Sequence, residues 1–225
     1  MKLSEIIPDF NEAKTIKQIV NRVLAQGEVW EVVIVDDGST DGTAQVLAKF
    51  NHKKVRVKRH GANKGKGAAI VTGISNINGD YLIFQDADLE YEPAEYKKLL
   101  KRANGKNAVY GSRILNKDNR HAYARTYIGN VLITALGNLL FGLKLTDSYT
   151  CYKLLPVKEA KQLNLKSSGF EVEAEITAKL AKRGVEIIEV PISYKPRSYE
   201  QGKKIKAKDA LKGAWMYFKI RFSGD

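Results

Sequence analysis

The segment Glu31–Asp36, EVVIVD, constrains the fold most: four β-branched residues stand in a row and the run ends on an acid. Such a run has no polar face, so both sides must be covered, as in a strand of a parallel sheet with helices above and below. Similar strands are expected at Leu3–Pro8, Asp80–Gln85 and Ala108–Gly111, and Val55–Arg59 alternates apolar and basic residues. Between them, Ile16, Ile19, Val20, Val23 and Leu24 recur at helical spacing. Further helices are expected over Thr43–Phe50, Gly67–Ile77 and from Pro93, suited to a first turn, to Arg102. This strand–helix alternation predicts an α/β fold, a mostly parallel central sheet flanked by helices.

Past residue 115 the rhythm changes. A polar loop at Asn116–His121 leads into an apolar stretch, Tyr127–Leu145, which Gly129, Asn130, Gly137, Asn138, Gly142 and Lys144 interrupt. It reads as an interfacial or partly buried helix rather than a membrane span. A helix over Glu171–Arg183, a strand at Ile187–Ile192 and a basic amphipathic helix over Lys206–Phe222 are expected after it. No Pro/Gly/Ser linker divides the chain, so residues 1–225 read as one domain, with residues 1–115 and 116–225 as its two halves.

In a parallel sheet of this kind, ligands bind beyond the carboxyl ends of the strands. That rule selects five loops: Pro8–Glu12, Asp36–Asp41, Asn63–Gly67, Asp86–Glu90 and Gly111–Arg113. Asp86 and Asp88 are two residues apart, so their carboxylates share a face if strand geometry persists. Two carboxylates plus a diphosphate suit a hard divalent cation, with phosphate and water completing the shell. Asp36–Gly42 fails as a calcium-binding loop, because Ala48 stands where a bidentate glutamate is required. It either caps the next helix or reads a base and ribose. Asn63–Gly67 could cradle phosphate at a helix start. It is neither a Walker loop nor a dinucleotide fingerprint, since Ile70 replaces the third glycine.

Thirty-eight Lys and Arg against 25 Asp and Glu give a net charge of +13, which points to anionic partners. From Lys195 to Asp225 there are nine basic and three acidic residues. Arg113, Arg120, His121 and Arg125 cluster before the apolar helix, and Arg197, Lys203 and Lys204 follow the last strand. The three histidines are scattered, without zinc spacing. Cys151 is the only cysteine, which excludes an intrachain disulfide and fits a reducing compartment.

These stretches together resemble the family 2 glycosyltransferases of the GT-A fold, particularly the dolichyl-phosphate mannose and glucose synthases. The resemblance rests on Pro8–Glu12, Val35–Asp41, Asn63–Gly67, Gln85–Glu90, Gly111–Arg113, Asp147–Lys153, Gly169–Glu173 and Val190–Ile192 through Arg197 to Lys203 and Lys204. They run in family order from residue 6 to about 206. It implies that Pro8, Phe10, Glu12, Asp37, Lys64 and Asp86-Ala87-Asp88 bind the nucleotide sugar. Asp88 would ligate Mg2+ or Mn2+ directly, with Asp86 in support. Arg113 and Arg125 would hold the acceptor phosphate, and Arg197 and Lys203 would close over the phosphates. Asp86, Asp88 and Arg113 are thus the expected catalytic set. Phe10 departs from the tyrosine frequent in relatives, which keeps a stacking surface and removes a hydroxyl.

The activity implied is inverting transfer of a hexose from UDP-glucose or GDP-mannose to a polyprenyl or dolichyl monophosphate. Larger relatives add membrane-spanning helices after the catalytic domain, which this chain lacks. Peripheral attachment to an anionic membrane at the cytoplasmic face is therefore expected. One alternative is transfer to a soluble or polysaccharide acceptor. Another, of a different class, is a nucleic-acid-binding module. The module would explain the charge but not the acids at three strand ends (Glu12, Asp37, Asp86 with Asp88), so no nucleic-acid partner is expected.

Overall fold

The computed structural model describes residues 1–119, 124–197 and 207–223. Arg120, His121, Lys203 and Lys204 lie outside the described residues, as does the side chain of Arg125. Seven strands form one sheet: β1 (Leu3–Asp9), β2 (Val29–Asp36), β3 (Val55–Arg59), β4 (Tyr81–Phe84), β5 (Ala108–Ser112), β6 (Lys153–Pro156) and β7 (Ile187–Pro191). Their order is β3-β2-β1-β4-β6-β5-β7. All neighbouring pairs are parallel except those of β6, which runs antiparallel to both β4 and β5. The sheet is thus mostly parallel, as the sequence predicts. β6 is not among the strands expected from the sequence, because a four-residue strand is too short to show a period.

Val32 to Val35 on β2 are all buried, which explains why that run needs no polar alternate. β1, between β2 and β4, aligns Asp9 with Asp36 of β2, so their carboxyl ends reach the same rim. The helices are α1 (Ile16–Leu24), α2 (Thr43–Leu47), α3 (Lys66–Ser75), α4 (Tyr96–Leu100), α5 (Ala124–Phe141), α6 (Val157–Gln162), α7 (Val172–Lys182) and α8 (Ala207–Phe222). The expected helix from Pro93 opens with a 3₁₀ turn at Pro93–Glu95 before α4. On α1, Ile16, Ile19, Val20 and Val23 are all fully buried, as their spacing requires.

α8 rests on α5 and α7 through a separate small cluster of Ile133, Ala174, Ala178, Tyr217 and Ile220. Gly213 makes this contact possible. A Cβ there would meet Tyr149 Oη at 1.6 Å. α8 therefore has a buried face, as expected of an amphipathic helix.

Glu5 on β1 is fully buried beneath the site. Tyr96 Oη lies 2.5 Å from Glu5 Oε1 and 2.8 Å from Gln85 Oε1, to which Tyr152 Oη also donates at 2.7 Å. Glu5 Oε2 has no hydrogen-bond partner among the described residues. Burial pushes the Glu5 carboxyl well above the usual carboxylate range, against the opposing effect of the Tyr96 hydrogen bond. A raised folded-state pKa leaves stability intact in acid and removes it as pH rises through that value. Thermal melts from pH 5 to pH 9 should therefore show wild type losing stability relative to Glu5→Gln as pH increases. Parallel curves would show that Glu5 is not held protonated.

Candidate functional site

All five strand-end loops open onto one cavity of about 920 Å³. Pro8, Phe10, Glu12, Asp37, Asp86, Ala87, Asp88, Arg113 and Arg197 line it, so nine of the expected residues are brought together. Lys64 is not among them. Its side chain is exposed, and its neighbour Lys66 faces the cavity instead. Gly65 has φ 97°, a left-handed conformation that favours glycine.

Asp86 follows β4 and its Oδ1 lies 2.8 Å from Lys66 Nζ. The same ammonium lies 3.0 Å from Glu173 Oε1 on α7. Glu173 also pairs with the fully buried Lys153, whose Nζ donates to Thr150 O at 2.7 Å. Burial works to raise the Asp86 pKa, but the charge and hydrogen bond of Lys66, with Cys151 and Arg197, together outweigh it and hold the carboxyl below its ordinary value. Asp88 behaves oppositely. Burial, then the charges of Asp86 and Glu90, push it up to about 7, with Arg197 offsetting only part of the rise. Two carboxylates separated by one residue thus differ because their partners differ.

Arg197 lies 2.9 Å from Glu12 Oε1, 3.1 Å from Asp88 Oδ2 and 3.6 Å from Glu90 Oε1. Glu90 is anchored in turn by Tyr194 Oη at 2.5 Å and by the Arg197 amide at 2.8 Å. Opposite, Arg113 donates from Nε and Nη2 to the two oxygens of Asp147, each at 2.7 Å. Asn130 of α5 donates to Asp147 Oδ1 at 2.8 Å. The Arg113 guanidinium also lies over the ring of Tyr194, 5.2 Å from its centre. Burial opposes ionisation of Asp147, but the charge and hydrogen bonds of Arg113, with the Asn130 hydrogen bond, together outweigh it and lower the pKa. The pair fixes the guanidinium in the cavity wall.

Several residues serve the loops themselves. Asp37 accepts from the Lys64 and Gly65 amides at 2.9 and 2.7 Å and contacts His60 Nδ1 at 2.6 Å. Its carboxylate therefore holds the Asn63–Gly67 loop. Asp41 accepts from the Thr43 amide and hydroxyl, so this acid caps α2. Asn63–Gly67 is not an open phosphate cradle. Its Gly67 amide donates to Ser168 O at 2.7 Å, and a Cβ on Gly67 would sit 2.1 Å from Ser167 O. Glu175 accepts from the Lys166 and Ser167 amides and steadies the facing segment.

Sequence reasoning passed over Lys66, Glu173, Asp147 and Tyr194 as site residues. The motif around Lys66 was visible, but which of two lysines points inward depends on Gly65. The pairing of Arg113 with Asp147 spans 34 residues and leaves no local pattern.

The donor set suits a divalent cation. Asp86 and Asp88 offer hard oxygens within an acid-rich wall that also holds Glu12 and Glu90. Among the described residues no three His, Cys, Asp or Glu side chains form a metal-holding group. A cation at Asp88 would draw the rest of its shell from phosphate and water.

Comparison with known proteins gives the family and the fold. An uncharacterized protein of Methanocaldococcus jannaschii is 31% identical over 195 residues, 83% of this chain and 79% of that protein. The dolichyl-phosphate beta-glucosyltransferase of Saccharomyces cerevisiae is 28% identical, over 85% of this chain and 66% of the yeast enzyme. The chain thus spans just under two thirds of the yeast enzyme's length. The crystal structure of glucosyl-3-phosphoglycerate synthase from Mycobacterium tuberculosis, with Mn2+, UDP and phosphoglyceric acid, superposes with a TM-score of 0.71. It is 18% identical and covers 100% of this chain and 80% of that chain, a likeness of fold, GT-A. The family model described as "Glycosyl transferase family 2" matches residues 4–163, and with the acid-lined rim in place the chain belongs to that family.

Proposed function

We propose that the chain transfers a hexose, with inversion, from a UDP- or GDP-sugar to a polyprenyl or dolichyl monophosphate. The supporting observation is the lining of the cavity, which joins the carboxylates of Asp86 and Asp88 and the guanidinium of Arg113 with the apolar side chains of Ile114, Ile128, Leu132 and Ile133. A donor diphosphate with its cation, an acceptor phosphate and an isoprenoid chain would match these three kinds of group. The yeast relative's name, a dolichyl-phosphate glucosyltransferase, supports the same acceptor class.

Asp88, with Asp86 beside it, would hold Mg2+ or Mn2+. The cation would neutralise charge on the departing nucleoside diphosphate. Pro8, Phe10, Glu12 and Asp37 form the wall given to base and ribose. An acceptor phosphate is anionic near neutral pH and needs placement more than a base. Arg113, locked by Asp147, supplies a fixed positive charge for it. Arg125 and Lys203 are proposed to assist at the acceptor and donor phosphates.

Asp88→Asn should lower turnover by at least about a hundredfold while the fold survives, since charge stabilisation of this kind contributes about 3–4 kcal/mol. The assay is formation of lipid-linked sugar from a panel of UDP- and GDP-sugars with a short polyprenyl phosphate and either metal. A folded variant with full activity, or transfer to soluble acceptors alone, would reject the reading.

The outer faces of α5 and α8 give the membrane contact. Ile128, Leu132 and Leu139 are exposed on α5, and Leu211, Trp215, Phe218 and Phe222 form an exposed stripe at helical spacing on α8. Lys208, Lys212, Lys219 and Arg221 are exposed beside it. Each basic residue near an anionic surface contributes about 1 kcal/mol. No helix among the described residues is long and apolar enough to cross a membrane. We therefore assign peripheral attachment at the cytoplasmic face, and ascribe the +13 charge to phosphates and lipid. In a Trp30→Phe background, Trp215 emission should shift to the blue on addition of anionic vesicles. Added salt should reverse the shift, and neutral vesicles should leave it small. An unchanged spectrum with anionic vesicles would exclude this face as the contact.

A further inference from the structure

The two carboxylates that follow β4 are each already paired with a cation of the protein, and the two cations are held differently. Lys66, its side chain 14% exposed, bridges Asp86 to Glu173 on another element. If it left, Glu173 and Asp86 would both lose a charge partner. It is a permanent strut. Arg197 instead carries one positive charge among three carboxylates, Glu12, Asp88 and Glu90, all lining the same cavity. One of those contacts, from Nε to Glu90, is long at 3.6 Å.

Both oxygens of Asp88 are engaged. Oδ1 accepts from the Glu90 amide at 3.0 Å and Oδ2 faces Arg197 Nη2 at 3.1 Å. A divalent cation approaching Oδ2 meets the guanidinium, a like charge at contact distance. A diphosphate changes this balance, because it offers the planar guanidinium a pair of anionic oxygens equivalent to the carboxylates it leaves. The cation alone displaces Arg197 from Asp88 and leaves it Glu12 and Glu90; the cation with a nucleoside diphosphate supplies a further anionic partner in place of Asp88.

We propose that Arg197 is an exchangeable internal cation that occupies Asp88 in the empty site and passes to the diphosphate when donor and metal bind. This rests on the nucleotide-sugar reading above and adds a rule to it. Free metal binds weakly, metal and nucleoside diphosphate reinforce each other, and by linkage the reinforcement is equal in both directions.

The test is Mn2+ binding to the full chain, read from the electron paramagnetic resonance signal of the free ion, with and without UDP or GDP. In wild type, nucleotide should tighten Mn2+ by about tenfold, within the usual range for coupled sites. Arg197→Gln should tighten Mn2+ alone by about tenfold and shrink the nucleotide effect to what direct contact of the ion with the diphosphate supplies, with Arg197→Lys in between. If Arg197→Gln melts as cooperatively as wild type and binds nucleotide, yet holds Mn2+ alone no more tightly, the inference is wrong and the proposed function stands. If neither UDP nor GDP binds wild type with Mn2+ present, both are rejected.

Discussion

The ammonium of Lys66, held between Asp86 and Glu173, is the joint on which the site depends. It links α3 and the end of β4, both from the first half of the chain, to α7 from the second. Losing one member of a buried ion pair costs about 3–5 kcal/mol, because the remaining charge is left without compensation. Here the cost would fall on two acids at once. The same junction brings Gly65 and Gly67 against the backbone of Ser167 and Ser168, too close for any side chain. Charge and close packing thus fix the loops in one arrangement, and the asymmetry between Asp86 and Asp88 follows from it.

Much of this was legible in the sequence. The apolar runs and helical spacings gave β1 to β5, β7 and most of the helices, and the strand-end rule collected the five loops that line the cavity. What escaped was set by contacts distant in sequence. β6 takes its direction from its neighbours rather than from the four residues Lys153–Pro156 themselves. Asp37 reads as a ligand-facing acid in its motif, and the motif does not reveal that its carboxylate also accepts from the amides of Lys64 and Gly65. Arg113 reads as a free phosphate-binding cation until Asp147 appears beside it.

α8 shows the same limit from another side. Its sequence carries apolar residues around most of the helix, and periodicity alone gives one ambiguous stripe. The structure separates them into two faces. Tyr217 and Ile220 pack inward against α5 and α7, whereas Leu211, Trp215, Phe218 and Phe222 point outward. Which apolar residues are core and which are surface was decided by Gly213, where α8 comes close enough to Tyr149 to seat only one face.

The antiparallel β6 also bears on how the chain assembles. Strands β1 to β4 pair among themselves, so that part of the sheet can form from the first 84 residues. β5 has no such partner: among the described residues it pairs with β6 and β7 alone. During synthesis at about 5–20 residues per second, the roughly 40 residues between β5 and β6 take about two to eight seconds to appear. Throughout that interval Ala108–Ser112, every residue of which is buried in the finished sheet, has no neighbour to pair with. The nascent chain therefore carries one unpaired apolar strand whose protection depends on the second half arriving.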